Sequence, residues 1–352
     1  MRKSLFILAA AALVLAGCEK DKKVDENKAI QKEIAFSTVA QTPKHAPGMN
    51  QAPIADAVFP VGLAMKVTAY DATKPGNYFA ATTFAKDGTY WKGGKYWPLT
   101  PATINFLAIA NANADNETGV TWGPSSTNPT QRVQIALGDN KTNQYDLMYA
   151  CGTGTVTQST NTLTFPTNVP MEFKHAQAWI HFTVKAGDAA SASAITVNKI
   201  TLNSVSCQGT YTVTHANWDK TAAQRAAADP AGALNGSVSG EWSEYSTYAG
   251  SVDAVKAAGY STLSTSVQDF ADLMVVPAQG ITTFTINYTF DEKTYDYTYT
   301  PASTTLAQAT KYTYNITLTL HEIEIAPEVT AWITDLNGNG NADDEISVNI
   351  PE

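Results

Sequence analysis

The run Asp335-Leu336-Asn337-Gly338-Asn339-Gly340-Asn341-Ala342-Asp343 has the oxygen spacing of a cation loop. A hard Ca²⁺ ion needs several carboxylate and amide oxygens converging from one tight turn. Asp335, Asn337, Asn339 and Asp343 take the first, third, fifth and ninth positions of such a loop, with Gly340 at the sixth. The twelfth position departs from the pattern, because Ile346 stands where a bidentate Glu is expected and Asp344 and Glu345 are out of register. Asn-Gly pairs also supply the positive φ of a hairpin turn. The run therefore reads either as a polar turn or as a calcium site, and calcium is the one cofactor the sequence suggests.

A second chemistry is acylation. Arg2 and Lys3 form a basic start, Leu5 to Ala16 is apolar and too short to span a bilayer, and Leu15-Ala16-Gly17-Cys18 resembles a bacterial lipobox. Residues 1–17 are thus expected to be a lipoprotein signal peptide, with Cys18 the lipidated first residue of the mature chain. Lipid chains contribute about 0.8 kcal/mol per buried methylene, so an acylated Cys18 would hold the protein on the outer membrane. Residues 18–33, rich in Lys, Asp and Glu, read as a solvated tether.

No catalytic constellation emerges from the rest. His45, His175, His181, His215 and His321 make no His-Glu-x-x-His pattern, and His181, alternating with Trp179 and Thr183, reads as a solvent-facing strand residue. Gly236-Ser237-Val238-Ser239-Gly240 places Val where a nucleophile elbow needs Ser. Gly152-Thr153-Gly154 has neither the third glycine nor the following helix of a dinucleotide site. Cys151 and Cys207, in different expected domains, read as buried thiols, with a disulfide between them as the alternative. The chain is not expected to be an enzyme.

Aromatic residues offer binding rather than catalysis. Trp91, Tyr96 and Trp97 flank Gly93 and Gly94, and Trp242, Tyr245 and Tyr248 form a second group. Such rings either pack a β core or stack on sugar rings. The latter supports the alternative function, a surface glycan-binding lipoprotein for polysaccharide capture.

The elements that must position these residues are strands. Phe284, Ile286, Tyr288 and Phe290 alternate with Thr283, Thr285, Asn287 and Thr289, and Tyr295, Tyr297 and Tyr299 follow after Asp291-Glu292-Lys293. Only a strand puts such sets on opposite faces, so the pair reads as a hairpin. Tyr312 to Leu320 repeats the pattern, and its phase slips before Ile323 and Ile325, which suggests a bulge or bend. Ile34 with Phe36, Met65 to Ala69, Ile104 to Ala110 and Ala178 to Val184 read as further strands, and Gly123 to Ser126 and Asp139 to Lys141 as turns. Short helices are expected only at Asp219 to Asp229 and Ser251 to Ala258. Two prolines at Pro166 and Pro170 suggest a boundary, giving domains at 34–168 and 169–352.

Composition agrees. Of 352 residues, 44% are hydrophobic and 16% charged, enough apolar material for about two cored domains and too much for a disordered chain. A net charge of -9 without a basic cluster argues against nucleic acid as a partner. Many short strands and little helix imply an all-β protein of antiparallel sandwiches.

Four segments, in order along the mature chain, carry a family likeness: Tyr145-Asp146-Leu147-Met148-Tyr149-Ala150, Glu172-Phe173-Lys174-His175-Ala176-Gln177-Ala178-Trp179-Ile180-His181-Phe182, Tyr312-Thr313-Tyr314-Asn315-Ile316-Thr317-Leu318 and Glu328-Val329-Thr330-Ala331-Trp332. Together with the lipobox they resemble the fimbrillin-like family, fimbrial subunits and related surface lipoproteins of the Bacteroides group. The resemblance implies two transthyretin-like, Greek-key β-sandwich domains in tandem, other fimbrial subunits as partners, an adhesive role on the cell surface or fimbrium, and assembly by exchange of strands. In that scheme a protease removes the first strand and the groove accepts a strand from the next subunit. Ile34, Phe36 and Thr38 are the removable-strand candidates, and Ile346, Val348 and Ile350 the donor-strand candidates. Maturation in oral members follows an Arg, yet no Arg lies between Arg2 and Arg132. A cut after Lys32 or Lys44, or a permanent anchor or tip subunit that keeps its first strand, is expected instead.

Overall fold

The structure, a computed structural model, describes residues 31–38, 64–71, 77–110, 120–122, 132–137, 146–171, 173–215, 238–302 and 305–331. The first half holds β1 (Glu33–Thr38), β2 (Met65–Asp71), β3 (Asn77–Asp87), β4 (Tyr90–Tyr96), β5 (Ala102–Ala110), β6 (Val120–Trp122), β7 (Arg132–Leu137), β8 (Met148–Ser159), β9 (Thr162–Thr164), β10 (Val169–Met171) and β11 (Lys174–His175). The second half holds β12 (Ala178–Ala186), helix α1 (Ala189–Ala194), β13 (Ile195–Val205), β14 (Gly209–His215), β15 (Val238–Ser243), β16 (Gly250–Asp253), β17 (Val255–Lys256), β18 (Gln268–Val275), β19 (Thr283–Phe290), β20 (Lys293–Tyr299), β21 (Thr310–Leu318) and β22 (Ile323–Ala331). The protein is all-β, as its alternating sequence requires.

Strands of the first half form one nine-stranded sheet, ordered β10-β1-β4-β3-β2-β5-β8-β11 with β9 on β8. It folds over on itself through β3, whose Met65-facing end pairs with β2 and whose Ala85 to Asp87 pair with β4. The tight turn into β4 uses Gly88 at φ +62, a backbone region that a side chain disfavours. The two ends of the sheet then meet, since a Cβ on Gly152 of β8 would lie 2.7 Å from Val169 of β10. Inside lies a core of Phe36, Phe84, Phe106, Trp91 and Trp97.

The second half is a two-layer sandwich, β17-β18-β12-β21-β22 over β16-β13-β19-β20. Its centre is the ring trio Phe182, Phe284 and Tyr314, with centroids 5.0–5.5 Å apart. A separate four-stranded sheet, β15-β14-β7-β6, takes β6 and β7 from the first half and β14 and β15 from the second. Tyr211 pairs with Ile135 across that junction.

Several expectations are corrected. The sheets are not wholly antiparallel: β1 runs parallel to β10 and β12 parallel to β21, each pair joined by a connection long enough to permit it. Around residues 168 and 169, β10 and β11 hydrogen-bond to β1 and β8 of the first sheet, and β12 is the first strand of the second sandwich. Ser251 to Ala258 is not helical but supplies β16 and β17, with Val252 buried opposite Leu202. The described α-helix is α1, where the Asp188 carboxylate accepts from the Ser191 amide at 2.7 Å and caps its start, and Tyr245–Tyr248 forms a single 3-10 turn. The phase slip after Leu318 is a turn between β21 and β22, closed by the Thr319 amide donating to the Glu322 carbonyl at 2.8 Å. The predicted hairpin forms as β19 and β20, with Asp291 and Glu292 both at positive φ and Lys293 already paired with Phe290. Asp219 to Asp229, Gly123 to Ser126 and Asp139 to Lys141 lie outside the described residues.

Candidate functional site

Of the residues with predicted roles, Ile34, Phe36 and Thr38 are placed by the structure. They point the same way from β1, and Ile34 and Phe36 are 0% exposed. The Phe36 ring meets Phe84 edge-on at 4.8 Å and Phe106 at 5.0 Å, and Trp97 meets Phe106 at 5.7 Å. Thr38 has its Oγ1 buried with no hydrogen-bond partner. The strand is held on both sides, antiparallel to β4 and parallel to β10, with Phe36 opposite Trp91 and Val169.

Among the described residues, ties outside the ladder are few. The Trp97 amide donates to the Lys32 carbonyl at 3.0 Å, the Gly94 amide to the Glu33 carboxylate at 3.0 Å, and the Ser37 hydroxyl to Asn168 Oδ1 at 2.8 Å. β1 is thus a six-residue strand near one end of the chain, seated in the core by apolar side chains and backbone hydrogen bonds. Its departure would expose an apolar groove flanked by two unpaired strand edges, the form of site that a foreign strand fills.

Cys18, the donor candidates Ile346, Val348 and Ile350, and the calcium candidates Asp335, Asn337, Asn339 and Asp343 lie outside the described residues. Among the described residues no group of three or more His, Cys, Asp or Glu side chains is arranged to hold a metal.

The aromatic groups are mostly interior. Trp91, Trp97 and Trp242 are buried, and Tyr96 and Tyr248 are exposed singly. The glycines that suggested cofactor motifs serve packing: a Cβ on Gly154 would lie 2.2 Å from the Trp97 ring, and one on Gly240 would strike Tyr211. Cys151 and Cys207 are buried and not joined by a disulfide.

His181 is corrected from solvent-facing to buried at 6% exposure, on the sheet face opposite the core. Its Nδ1 lies 2.7 Å from Asp272, which also accepts from the Trp179 indole at 2.6 Å, and its Nε2 lies 3.3 Å from Asp269. Both ring nitrogens therefore face carboxylates, and the imidazole ties β12 to β18.

Sequence reading missed the polar junction between the halves. The Gln308 amide lies within 3.0 Å of the Tyr149 and Tyr211 hydroxyls and the His175 carbonyl, and the Trp242 indole donates to the Ala176 carbonyl at 2.6 Å. Burial pushes the Tyr211 phenol well above its usual range. No local pattern marks Gln308, because its partners lie 97 to 159 residues away.

A model of the fimbrillin-like family matches residues 55–332. The chain belongs to the fimbrillin-like family. Solved structures similar to this fimbrillin-like chain include a candidate cell adhesion protein from Bacteroides uniformis, 14% identical over 86% of this chain and 99% of that one, with a TM-score of 0.49. A fimbrial protein from Bacteroides vulgatus is 13% identical over 86% and 99%, with a TM-score of 0.46. The tip fimbrial protein Mfa3 from Porphyromonas gingivalis is 12% identical over 86% and 100%, with a TM-score of 0.43. No curated protein matches the chain. The fimbrillin-like match begins past β1 and stops before the donor-strand candidates.

Proposed function

We propose that this chain is a cell-surface fimbrial or adhesive subunit, without catalytic activity, that assembles by exchange of β1 for a strand of a neighbouring subunit. It reaches the outer membrane as a lipoprotein acylated at Cys18, and its two halves are transthyretin-like sandwiches in tandem. Its partners are other subunits, the outer-membrane lipid and a surface ligand. The carrying observation is β1 itself: a six-residue strand whose Ile34 and Phe36 fill the first core while, among the described residues, few side-chain bonds tie it down.

The placement of β1 separates the two lysine cut sites. A cut after Lys32 severs the tether and the lipid, yet leaves Glu33–Thr38 joined to β2. Only a cut past Thr38 frees the strand, and Lys44 is the one Lys or Arg between Thr38 and Met65. Cleavage there yields an acceptor for polymerisation; without it the protein is an anchor or tip-type subunit. In the polymerising form Ile346, Val348 and Ile350 supply the donated strand.

Mass spectrometry of the cell-surface form tests the reading. A mature N-terminus beyond Thr38, with filaments containing the protein, is expected for a polymerising subunit, and an intact acylated Cys18 for an anchor. A soluble form that starts between residues 19 and 33 and enters no filament would defeat both. For calcium at Asp335, Asn337, Asn339 and Asp343, titration calorimetry decides: no heat on adding Ca²⁺ removes the site.

A further inference from the structure

We infer that the groove occupied by β1 selects a donor strand with an aromatic ring at its centre, so that this chain's own C-terminal strand is a poor donor to a second copy. The intended partner is an extended segment of a different subunit with an aliphatic residue, then an aromatic, then a small or aliphatic residue at alternate positions. The inference rests on the strand-exchange reading and names the partner's chemistry.

Alternation places Ile34, Phe36 and Thr38 on one face of β1, with Ile34 and Phe36 fully buried and Thr38 half-buried, so a strand in its place would fill three positions. The central one is walled by rings, Phe84 and Phe106, that cannot close over an empty space. Phe79 braces both at 5.9 and 6.2 Å, and Trp97 braces Phe106 at 5.7 Å. Behind these rings the backbone is already in contact: a Cβ on Gly93 would fall 2.9 Å from Phe84, and one on Gly154 2.2 Å from Trp97. A side chain smaller than Phe therefore leaves a void that its surroundings do not collapse to fill, the condition under which truncation costs most. The outer pockets are less demanding. One takes Ile, and the other holds a Thr hydroxyl buried without a partner, so an aliphatic side chain suits it at least as well.

The candidate donor offers Ile346, Val348 and Ile350 at alternate positions, and no Phe, Tyr or Trp occurs in residues 333–352. In either strand direction, alignment of the three residues with the three pockets puts Val348 in the aromatic one. Sliding the strand by two residues brings a larger Ile to the centre but carries Asp344 or Glu352 into an outer pocket, where a carboxylate loses its water. A slide of one residue turns the apolar face outward. The acidic residues thus pin the register in which the central fit is worst. One of Ile346 and Ile350 replaces Ile34 like for like and the other replaces Thr38 with a larger aliphatic side chain, so the largest loss of volume falls at the Phe36 position.

The test uses the full chain with a specific protease site placed just after Lys44, nicked, checked for retained β structure by circular dichroism, and offered fluorescent peptides. These carry the sequences of residues 32–39, of residues 344–352, and of residues 344–352 with V348F or V348L. The 32–39 peptide and V348F are expected to bind about tenfold to a hundredfold tighter than the unaltered 344–352 peptide, with V348L gaining less than V348F. Unaltered 344–352 binding as tightly as V348F would overturn the selectivity while leaving strand exchange intact. Failure of every peptide, including 32–39, to enter a nicked and folded chain would overturn strand exchange and the selectivity together.

Discussion

Phe36→Ala measures how firmly the core holds β1, the strand whose release the proposed assembly requires. The ring is fully buried and makes two edge-on contacts, with Phe84 and Phe106. Phe→Ala in a core costs about 3–5 kcal/mol, and edge-on ring pairs supply about 0.5–1.5 kcal/mol each of such a loss. The braced walls place this site at the upper end. Against a domain stability of about 5–15 kcal/mol the change is large. Because β1 is a short strand held mainly by its ladders to β4 and β10, much of the loss appears as easier release of β1, by roughly a hundredfold or more at 1.4 kcal/mol per tenfold. Urea denaturation followed by tryptophan fluorescence reads the global loss, since Trp91 and Trp97 share this core. Hydrogen exchange of the Trp97 amide, which donates to the Lys32 carbonyl, reads local release. Ser37→Ala, removing the half-buried bond to Asn168, is the control and is expected to cost about 1 kcal/mol or less. If Phe36→Ala lowers stability by no more than Ser37→Ala and leaves the Trp97 amide equally protected, the seating described for β1 is wrong.

Other perturbations probe separate parts of the argument. Thr38→Val removes a buried hydroxyl without a partner and is expected to be neutral or to raise urea stability by up to about 1 kcal/mol, an outcome contradicted by a clear loss. Gly154→Ala drives a Cβ into the Trp97 ring and is expected to cost about 1–3 kcal/mol with a changed tryptophan emission spectrum, whereas Gly250→Ala, facing open space at an ordinary φ, should leave both nearly unchanged. Gln308→Leu strips a shared amide from Tyr149, Tyr211 and the His175 carbonyl and should cost about 1–3 kcal/mol in a calorimetric melt. Burial pushes the Tyr260 phenol from 10.0 up to about 12 and raises Tyr312 as well. The folded state then holds protons that the unfolded state releases, so this contribution is complete below about pH 10 and is lost as pH rises towards 12. Alkaline unfolding should coincide with tyrosinate absorbance, and Tyr260→Phe should shift its onset upward.

Much of the fold is legible locally. The alternation in Thr283 to Tyr299 gives the β19 and β20 hairpin, and Ile34 with Phe36 gives β1, because a period of two fixes which side chains share a face. Boundaries and small elements are less legible. Ser251 to Ala258 has weak helical patterning that strand pairing with β13 and β18 overrides, and α1 rests on one capping Asp and a run of Ala and Ser. The site was half legible: Phe36 reads as a strand residue from its neighbours, but its place at the centre of a ring cluster depends on Phe84 and Phe106, which come from other strands.

Local pattern and composition are enough for the all-β class, for β1 and for the family likeness. Tertiary structure alone decided that β10 closes on β1, that β7 and β14 join the halves, that Trp97 and Tyr211 press on glycines, and that His181 is buried between carboxylates. The reason is physical. Alternation is a property of neighbours along the chain, whereas pairing, burial and ring contacts depend on residues tens to more than a hundred positions apart, and only the closed sheets bring them within a few ångströms.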